Sequence, residues 1–400
     1  VTGARVPQPV LMFPGQGAQY AGMGRELYAN EPVFRAALDD CLAAFDGVLA
    51  FDLRERMFSS DPAALTPTSV TQPATFALEY ALARQLLALQ LMPSALVGHS
   101  VGEFVAAVLA GVMSLSDAAR LVARRGALMQ ALPAGAMLSV RLPATELEPR
   151  LPSGIWLAAD NSPTACVAAG PSAAIEALRD QLEAEGVAVK LLQTSHAFHS
   201  AMMDPAVPAF EALLRDVPLS APTLPIYSTL TGERLRAEQA TDPNYWARHL
   251  RDTVRFSPAI RAVLADLAQA LFVEIGPRGT LATLARQHAD KAQPVMAVAS
   301  LGDRPEDERT AWRLAAGRLW SSGVDLTLDG LDERARKHRV LLPTYPFERK
   351  RFWVDIAPAL PTAASTLSPH SHPPVESRMT TAAPASTAPS RVASLTVALR

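Results

Sequence analysis

The segment VGHSVGEF, residues 97–104, sets Ser100 between Gly98 and Gly102 at the spacing of a nucleophile elbow. An elbow exposes the serine hydroxyl on a sharp turn between a strand and a helix. It also aims the amide of the next residue, Val101, at the place where an oxyanion develops, and the positive end of the following helix adds to that field. Glycines flank serines in ordinary turns too, where the hydroxyl only caps a helix, so the chemistry requires a base. Histidine suits that work because imidazole takes up and returns a proton near neutrality. The chain has eight histidines. His99 adjoins Ser100 and is expected to point away from the hydroxyl, in a supporting role. TSHAFHSAMMD offers His196 and His199, and a chain re-entering the main domain there brings one of them over the elbow.

The elements around these residues must place them. VLMFPGQGAQ (10–19) reads as a buried strand that breaks into a glycine-rich turn, followed by helical sequence to Phe45. A helix is expected over Gln72 to Leu91, with Phe76, Leu78, Leu82 and Leu86 on a broad apolar face. SALVGHS then forms a short strand ending at the serine, and VGEFVAAVLAG a helix closed by Gly111. SLSDAARLVARRGALMQAL reads as a helix capped by Ser116 and carrying Arg120, Arg124 and Arg125. From 134 to 192 short strands and one helix alternate closely, as in a small inserted α+β unit. Beyond it, FEALLRDV, FSPAIRAVLAD and LFVEIGPRGTL restore the longer alternation and return to the first sheet. EDERTAWRLAAGRLWSSG (306–323) reads as a packing helix with Trp312, Ala315, Ala316, Leu319 and Trp320 at helical spacing. LLPTYPFERKRFW (341–353) reads as a strap, and past Asp355 the Ala/Pro/Ser/Thr-rich sequence reads as a flexible linker to a neighbour.

With 400 residues and 49% hydrophobic composition, the chain is long enough for two or three domains. A net charge of −2 supplies no basic field for a phosphate backbone, which argues against nucleic acid. Cys41 and Cys166 cannot build a disulfide framework and have no metal-ligand spacing, so no metal is expected. No apolar run reaches the length of a membrane span and no signal peptide is visible. Together these features predict a soluble protein in a reducing, cytoplasmic setting. A chain that begins at Val1 is expected to be a piece of something longer.

Taken in order, FPGQGAQ (13–19), TQPA (71–74), GHSVGE (98–103), RRG (124–126), HAFHS (196–200) and EIGPRGTL (274–281) resemble the acyltransferase domains of modular polyketide synthases. Those domains are relatives of the bacterial malonyl-CoA:acyl-carrier-protein transacylases. The resemblance covers residues 10–300, and LPTYPFERKRFW resembles the linker that follows such domains. It implies an α/β fold: an α/β-hydrolase-like large subdomain (1–131 and 200–299), an inserted ferredoxin-like subdomain (132–199), a post-acyltransferase linker (300–356) and a flexible linker (357–400).

The resemblance also implies roles. Ser100 is the acylated nucleophile and His199 the general base, with the amides of Gln16 and Val101 as the oxyanion hole. Arg125, helped by Gln72, grips the free carboxylate of a malonyl group, and Asn161 lies near the site. The base is oriented by a main-chain carbonyl near His249 in place of an aspartate, which makes a Ser-His dyad. In this family HAFH, here His196 to His199, accompanies malonyl and YASH accompanies methylmalonyl; Phe198 is expected to fill the space the extra methyl needs, and Val101 also suits the malonyl pattern. The implied reaction moves malonyl from malonyl-CoA, bound as a substrate and not as a permanent cofactor, to the phosphopantetheine thiol of an acyl carrier protein. Neighbouring synthase domains are the implied partners, a ketosynthase on the N-terminal side and another domain after residue 400.

Two other readings compete. A serine esterase or thioesterase on the same elbow requires an acid between Ser100 and His199 in chain order, for which Asp160 is available, and has no use for Arg125. A silent docking domain has no use for Ser100 and His199. Within the acyltransferase reading, acceptance of methylmalonyl-CoA is the alternative, because one methyl is worth only ~1–3 kcal/mol.

Overall fold

The computed structural model describes residues 6–290, 294–331, 341 and 343–348. β1 (Gln8–Phe13) is an unbroken apolar run buried from Pro9 onward, the pattern of a parallel strand covered on both faces. The chain then passes through α1 (Arg25–Asn30), α2 (Pro32–Phe45), α3 (Leu53–Phe58) and α4 (Thr68–Ala88) to β2 (Ala95–Gly98), α5 (Gly102–Leu109) and α6 (Leu115–Gln130). β3 (Ala136–Val140), α7 (Ala144–Leu147), β4 (Trp156–Ser162), β5 (Ala165–Gly170), α8 (Ser172–Ala184) and β6 (Val189–Leu191) follow. The return comprises α9 (Val207–Leu214), β7 (Ile226–Tyr227), α10 (Ala237–Ala240), α11 (Pro243–Arg248), α12 (Phe256–Asp266), β8 (Ala270–Glu274), α13 (Thr280–Arg286), β9 (Met296–Ala299) and α14 (Glu308–Ser321).

β7-β2-β1-β8-β9 form a five-stranded sheet in which every pairing is parallel. Phe13 pairs with Gly98, and Met12 with Glu274, so β1, β2 and β8 end side by side. Three turns therefore leave the same sheet edge: PGQG after β1, HSVG after β2 and IGPRG after β8. The carboxyl edge of such a sheet is where α/β proteins bind ligands. The second sheet is antiparallel in the order β4-β5-β3-β6. Its β-α-β-β-α-β chain order with the hairpin β4-β5 on one side is the ferredoxin-like arrangement. It has a core of its own around Leu138, Leu147, Cys166, Ile175 and Leu178. Two main-chain hydrogen bonds tie it to the larger part: Asp160 N to Val254 O at 2.9 Å and Val254 N to Ala158 O at 2.9 Å.

Element boundaries depart from expectation where a distant partner intervenes. α4 begins at Thr68 rather than Gln72, and the Thr68 amide donates to Gln130 Oε1 at 2.7 Å, a cap supplied from the end of α6. The cap of α6 is Ser114, not Ser116: its hydroxyl accepts from Asp117 N at 3.0 Å while Ser116 already lies in the first turn. In α14, Trp312, Ala315, Ala316 and Leu319 are buried as expected, but Trp320 falls off that stripe and is exposed. Residues 300–331, the described start of the expected post-acyltransferase linker, lie in the compact unit Val1–Arg336. Of the expected strap at 341–353, Leu341 and residues 343–348 are described, with the Tyr345 and Phe347 rings edge to face at 5.3 Å. The expected flexible linker at 357–400 lies outside the described residues. Among them no helix is long and apolar enough to cross a membrane.

Candidate active site

Ser100 sits at φ 56°, a left-handed conformation for a residue with a side chain. Such a backbone costs about 1–3 kcal/mol and persists only where the surroundings impose it. Its flanks do so by contact. A Cβ at Gly98 would lie 2.2 Å from Glu103 Cα, and one at Gly102 2.2 Å from Phe13 O. The turn is thus pressed against the end of β1, and His99 N donates to Phe13 O at 2.8 Å. Neither the Val101 amide nor the Gln16 amide donates a hydrogen bond to any described residue.

His199 arrives from the exit of the small sheet, also at φ 56°. Its Nε2 is 2.8 Å from Ser100 Oγ and its Nδ1 3.0 Å from the Asp252 carbonyl oxygen. A carbonyl only accepts, so Nδ1 carries the proton and Nε2 turns its lone pair to the serine hydroxyl. Burial, and then the positive charge of Arg125, hold the imidazole well below its ordinary pKa. It is therefore a neutral base at pH 7. The expected carbonyl near His249 is corrected to that of Asp252: α11 ends at Arg248, and after the following turn it is the Asp252 oxygen that meets the ring. Main chain thus occupies the place where a triad acid would stand. Asp160, the acid the esterase reading needs, is committed to the small sheet.

Arg125 is 1% exposed. Nη1 donates to Gln72 Oε1 at 2.7 Å; Nη2 donates to Ser100 Oγ at 3.0 Å and to the His249 carbonyl at 3.3 Å. Nε is buried with no acceptor, and no carboxylate among the described residues lies within ion-pair distance. Burial lowers its pKa to about 9, which leaves it charged at neutral pH. A Cβ at Gly126 would lie 2.9 Å from Thr68 O, so this glycine lets α6 approach the α4 backbone and bring Arg125 to Gln72. A buried guanidinium with a free donor and no counter-charge is a site for an anion.

The other expected residues are distributed around this centre. Asn161 Oδ1 is 3.0 Å from His99 Nε2, so Asn161 supports the elbow through His99. His196 has both ring nitrogens engaged, with Ser195 Oγ at 2.7 Å and the Leu132 carbonyl at 3.0 Å, and its ring stacks on Phe198 at 5.9 Å. The Gln16 side chain donates to Thr68 Oγ1 at 3.3 Å. The loop carrying Gln16 is braced further on: Arg278 Nε donates to Ala18 O at 3.0 Å, and Glu308 accepts from Tyr20 Oη at 2.8 Å and Gly24 N at 2.6 Å. Sequence reasoning missed the Asp252 carbonyl, which leaves no side-chain signature. It also passed over Glu103, whose signal was available as the single charge in the otherwise apolar α5.

A serine-histidine pair with a buried, unpaired arginine, at the carboxyl edge of a parallel sheet, defines an enzyme that handles acyl groups through serine. The acyl transferase domain family matches residues 10–325, and the chain belongs to it. It is 40% identical over 359 residues to the mycoketide-CoA synthase of Mycobacterium tuberculosis, covering 88% of this chain and 8% of that protein. Polyketide synthase GfsB of Streptomyces halstedii is 40% identical over 356 residues, which is 86% of this chain and 6% of that one. The chain thus spans less than a tenth of the length of these two relatives. The acyltransferase domain from the second module of the salinomycin polyketide synthase superposes with a TM-score of 0.77 at 41% identity, over 85% of this chain and 80% of that one. The malonyl CoA-acyl carrier protein transacylase from Burkholderia pseudomallei superposes with a TM-score of 0.65 at 29% identity, over 71% and 99%.

Proposed function

We propose that this acyltransferase carries a malonyl group from malonyl-CoA to the phosphopantetheine thiol of an acyl carrier protein through a malonyl ester on Ser100. The observation that carries the choice of acyl group is Arg125, a buried cation beside the serine hydroxyl with no carboxylate among the described residues at ion-pair distance. A malonyl carboxylate satisfies it, with Gln72 holding the guanidinium from the far side. A neutral acyl group leaves the charge unpaired, at a cost of about 3–5 kcal/mol by analogy with broken buried pairs.

In the first half-reaction His199 Nε2 takes the Ser100 proton as Oγ attacks the thioester carbonyl, and the amides of Gln16 and Val101 receive the oxyanion. The intermediate collapses as the CoA thiolate leaves and takes the proton from His199. The carrier thiol then gives its proton to His199 and attacks the malonyl ester, and as that intermediate collapses the departing Ser100 Oγ takes the proton back from His199 Nε2. The Asp252 carbonyl keeps Nδ1 protonated throughout. Phe198 packed on His196 favours malonyl over methylmalonyl by up to about 10–200-fold.

The same reading assigns the large subdomain to 1–131 and 200–299, the ferredoxin-like one to 132–199 and the linker to 300–356. It places the domain in a cytoplasmic multidomain synthase, after a ketosynthase. No permanently bound cofactor enters the chemistry. Competition among malonyl-, methylmalonyl- and acetyl-CoA, read as intact mass of the acyl-enzyme, tests it. The expected product is malonyl-Ser100, discharged by a holo carrier protein faster than by water; rapid loss to water with no effect of carrier overturns transfer in favour of a thioesterase.

A further inference from the structure

Beneath Ser100, His199 and Arg125 lies a second buried polar group that takes no part in the transfer steps. Glu103, in the first turn of α5, is fully buried. Its Oε2 accepts from the Thr229 amide at 2.9 Å, and the Thr229 hydroxyl lies between it, at 3.0 Å, and the Gly98 carbonyl, at 2.7 Å. Oε1 accepts from the Tyr245 hydroxyl, and His249 Nε2 lies 3.3 Å from the same oxygen, off the direction of a well-formed hydrogen bond. Tyr245 and His249 are four residues apart at the end of α11, hence on one face. The Trp246 ring stacks against His249 at 5.7 Å.

The turn that begins at His249 supplies three main-chain oxygens to the site above. His249 O accepts from Arg125 Nη2 at 3.3 Å, Leu250 O from the His199 amide at 3.3 Å and Asp252 O from His199 Nδ1 at 3.0 Å. The anion pocket and the base therefore hang from one turn, and that turn is held from below by Glu103. We infer that Glu103 is a positioning residue: through Tyr245 and His249 it sets the 249–252 turn whose carbonyls orient Arg125 and His199 together. Although burial opposes the charge, His249, Tyr245 and Thr229 together hold the carboxyl below its ordinary range, in keeping with an anionic anchor. The inference rests on the Ser-His-Arg reading of the site.

The test uses the full chain and two probes. Labelling of Ser100 by a fluorophosphonate needs only the nucleophile and base, whereas the malonyl-over-acetyl ratio of acyl-enzyme formation reports Arg125. Glu103→Gln keeps the shape of the side chain and removes its charge. It is expected to slow labelling about tenfold or more and to narrow the malonyl-over-acetyl ratio by a similar factor, since small misplacements in an active site carry large rate costs. A purely structural role lowers all rates in proportion to the folded fraction and leaves the ratio and the pH profile of labelling unchanged; that result, or wild-type labelling in a folded variant, overturns the inference. If Glu103→Gln does not fold, Tyr245→Phe carries the test, with the same direction and a smaller change expected and no change overturning it. A wild-type chain that takes no label removes the Ser-His reading first, and this inference falls with it.

Discussion

Ser100 and His199 share the same φ of 56°, but they are held there in different ways. Ser100 is held by its own strand, turn and helix, where Gly98 is pressed on Glu103, and by one neighbour, the end of β1, where Gly102 abuts Phe13 O. His199 stands where the chain leaves the small sheet, and its ring is aimed by an oxygen 53 residues further on. Arg125 resembles His199 in this respect, reaching Gln72 on α4 and the His249 carbonyl beyond α11. The nucleophile half of the site is thus built mainly from one stretch of chain braced on β1, while the base and anion-binding half is assembled wholly by long-range contacts. A local construction tolerates changes elsewhere; an assembled one fails with any of its supports.

The largest effect that separates the halves comes from their central residues. Ser100→Ala is expected to abolish acyl-enzyme formation altogether, read by intact mass, whereas His199→Ala retains the nucleophilic hydroxyl and loses about 10²–10⁴-fold in acylation rate. Equal, complete loss from both would erase the distinction between the halves. Arg125→Ala is expected to cost malonyl transfer about 3–5 kcal/mol, or roughly 10²–10⁴-fold, with acetyl transfer little affected. An unchanged malonyl-to-acetyl ratio removes Arg125 from the anion site.

The charge of Arg125 also sharpens the picture of the base. Because burial and Arg125 both depress the His199 pKa, the neutral form persists below the ordinary histidine range of about 6.5. Acylation is therefore expected to be flat through neutrality and to fall only at lower pH. In Arg125→Gln the acid limb moves to higher pH, because a depressing charge is gone; an unmoved limb contradicts the coupling. Converting His196 and Phe198 together to Tyr and Ser is expected to shift the methylmalonyl-to-malonyl ratio by no more than about 10–200-fold, measured by competition.

The smallest effect concerns a support of the sheet edge itself. Glu79 and Glu274 are both buried, and neither Glu79 oxygen has a hydrogen-bond partner. Burial and the neighbouring Glu274 raise the Glu79 pKa, while burial raises Glu274 to about 7. A raised folded pKa contributes stability below the unfolded value of about 4.5 that is lost as pH rises through the folded value. Wild-type melting temperature is thus expected to fall as pH rises from about 4.5 through about 7. Glu79→Gln, which cannot ionise, is expected to recover about 1 kcal/mol of that loss, and a variant that melts lower than wild type across the whole range contradicts the assignment.

Legibility follows the same division. β1, β2 and β8 are readable from short apolar runs ending in glycine or just before it, and Ser100 from the flanking glycines. The small sheet is readable from the close alternation of short strands and one helix. The start of α4 and the cap of α6 escape a local reading, the first because Gln130 caps α4 from another helix. Spacing does not separate His196 from His199; only motif order chooses between them. The carbonyl of Asp252 leaves nothing to read, since every residue has one.

The sequence by itself determined the elbow, the apolar strands that converge at one sheet edge and a helix carrying Arg120, Arg124 and Arg125 from which a carboxylate-binding group can come. Those features depend on local backbone sterics and hydrophobic periodicity, which are written in neighbouring residues. Tertiary structure alone decided which carbonyl fixes the tautomer of His199, and that Arg125 is buried with no counter-ion among the described residues. It also placed Glu103 under the turn that serves both. Those outcomes depend on burial and on main-chain atoms met across long stretches of chain, 53 residues between His199 and Asp252 and 124 between Arg125 and His249, and no residue type encodes them.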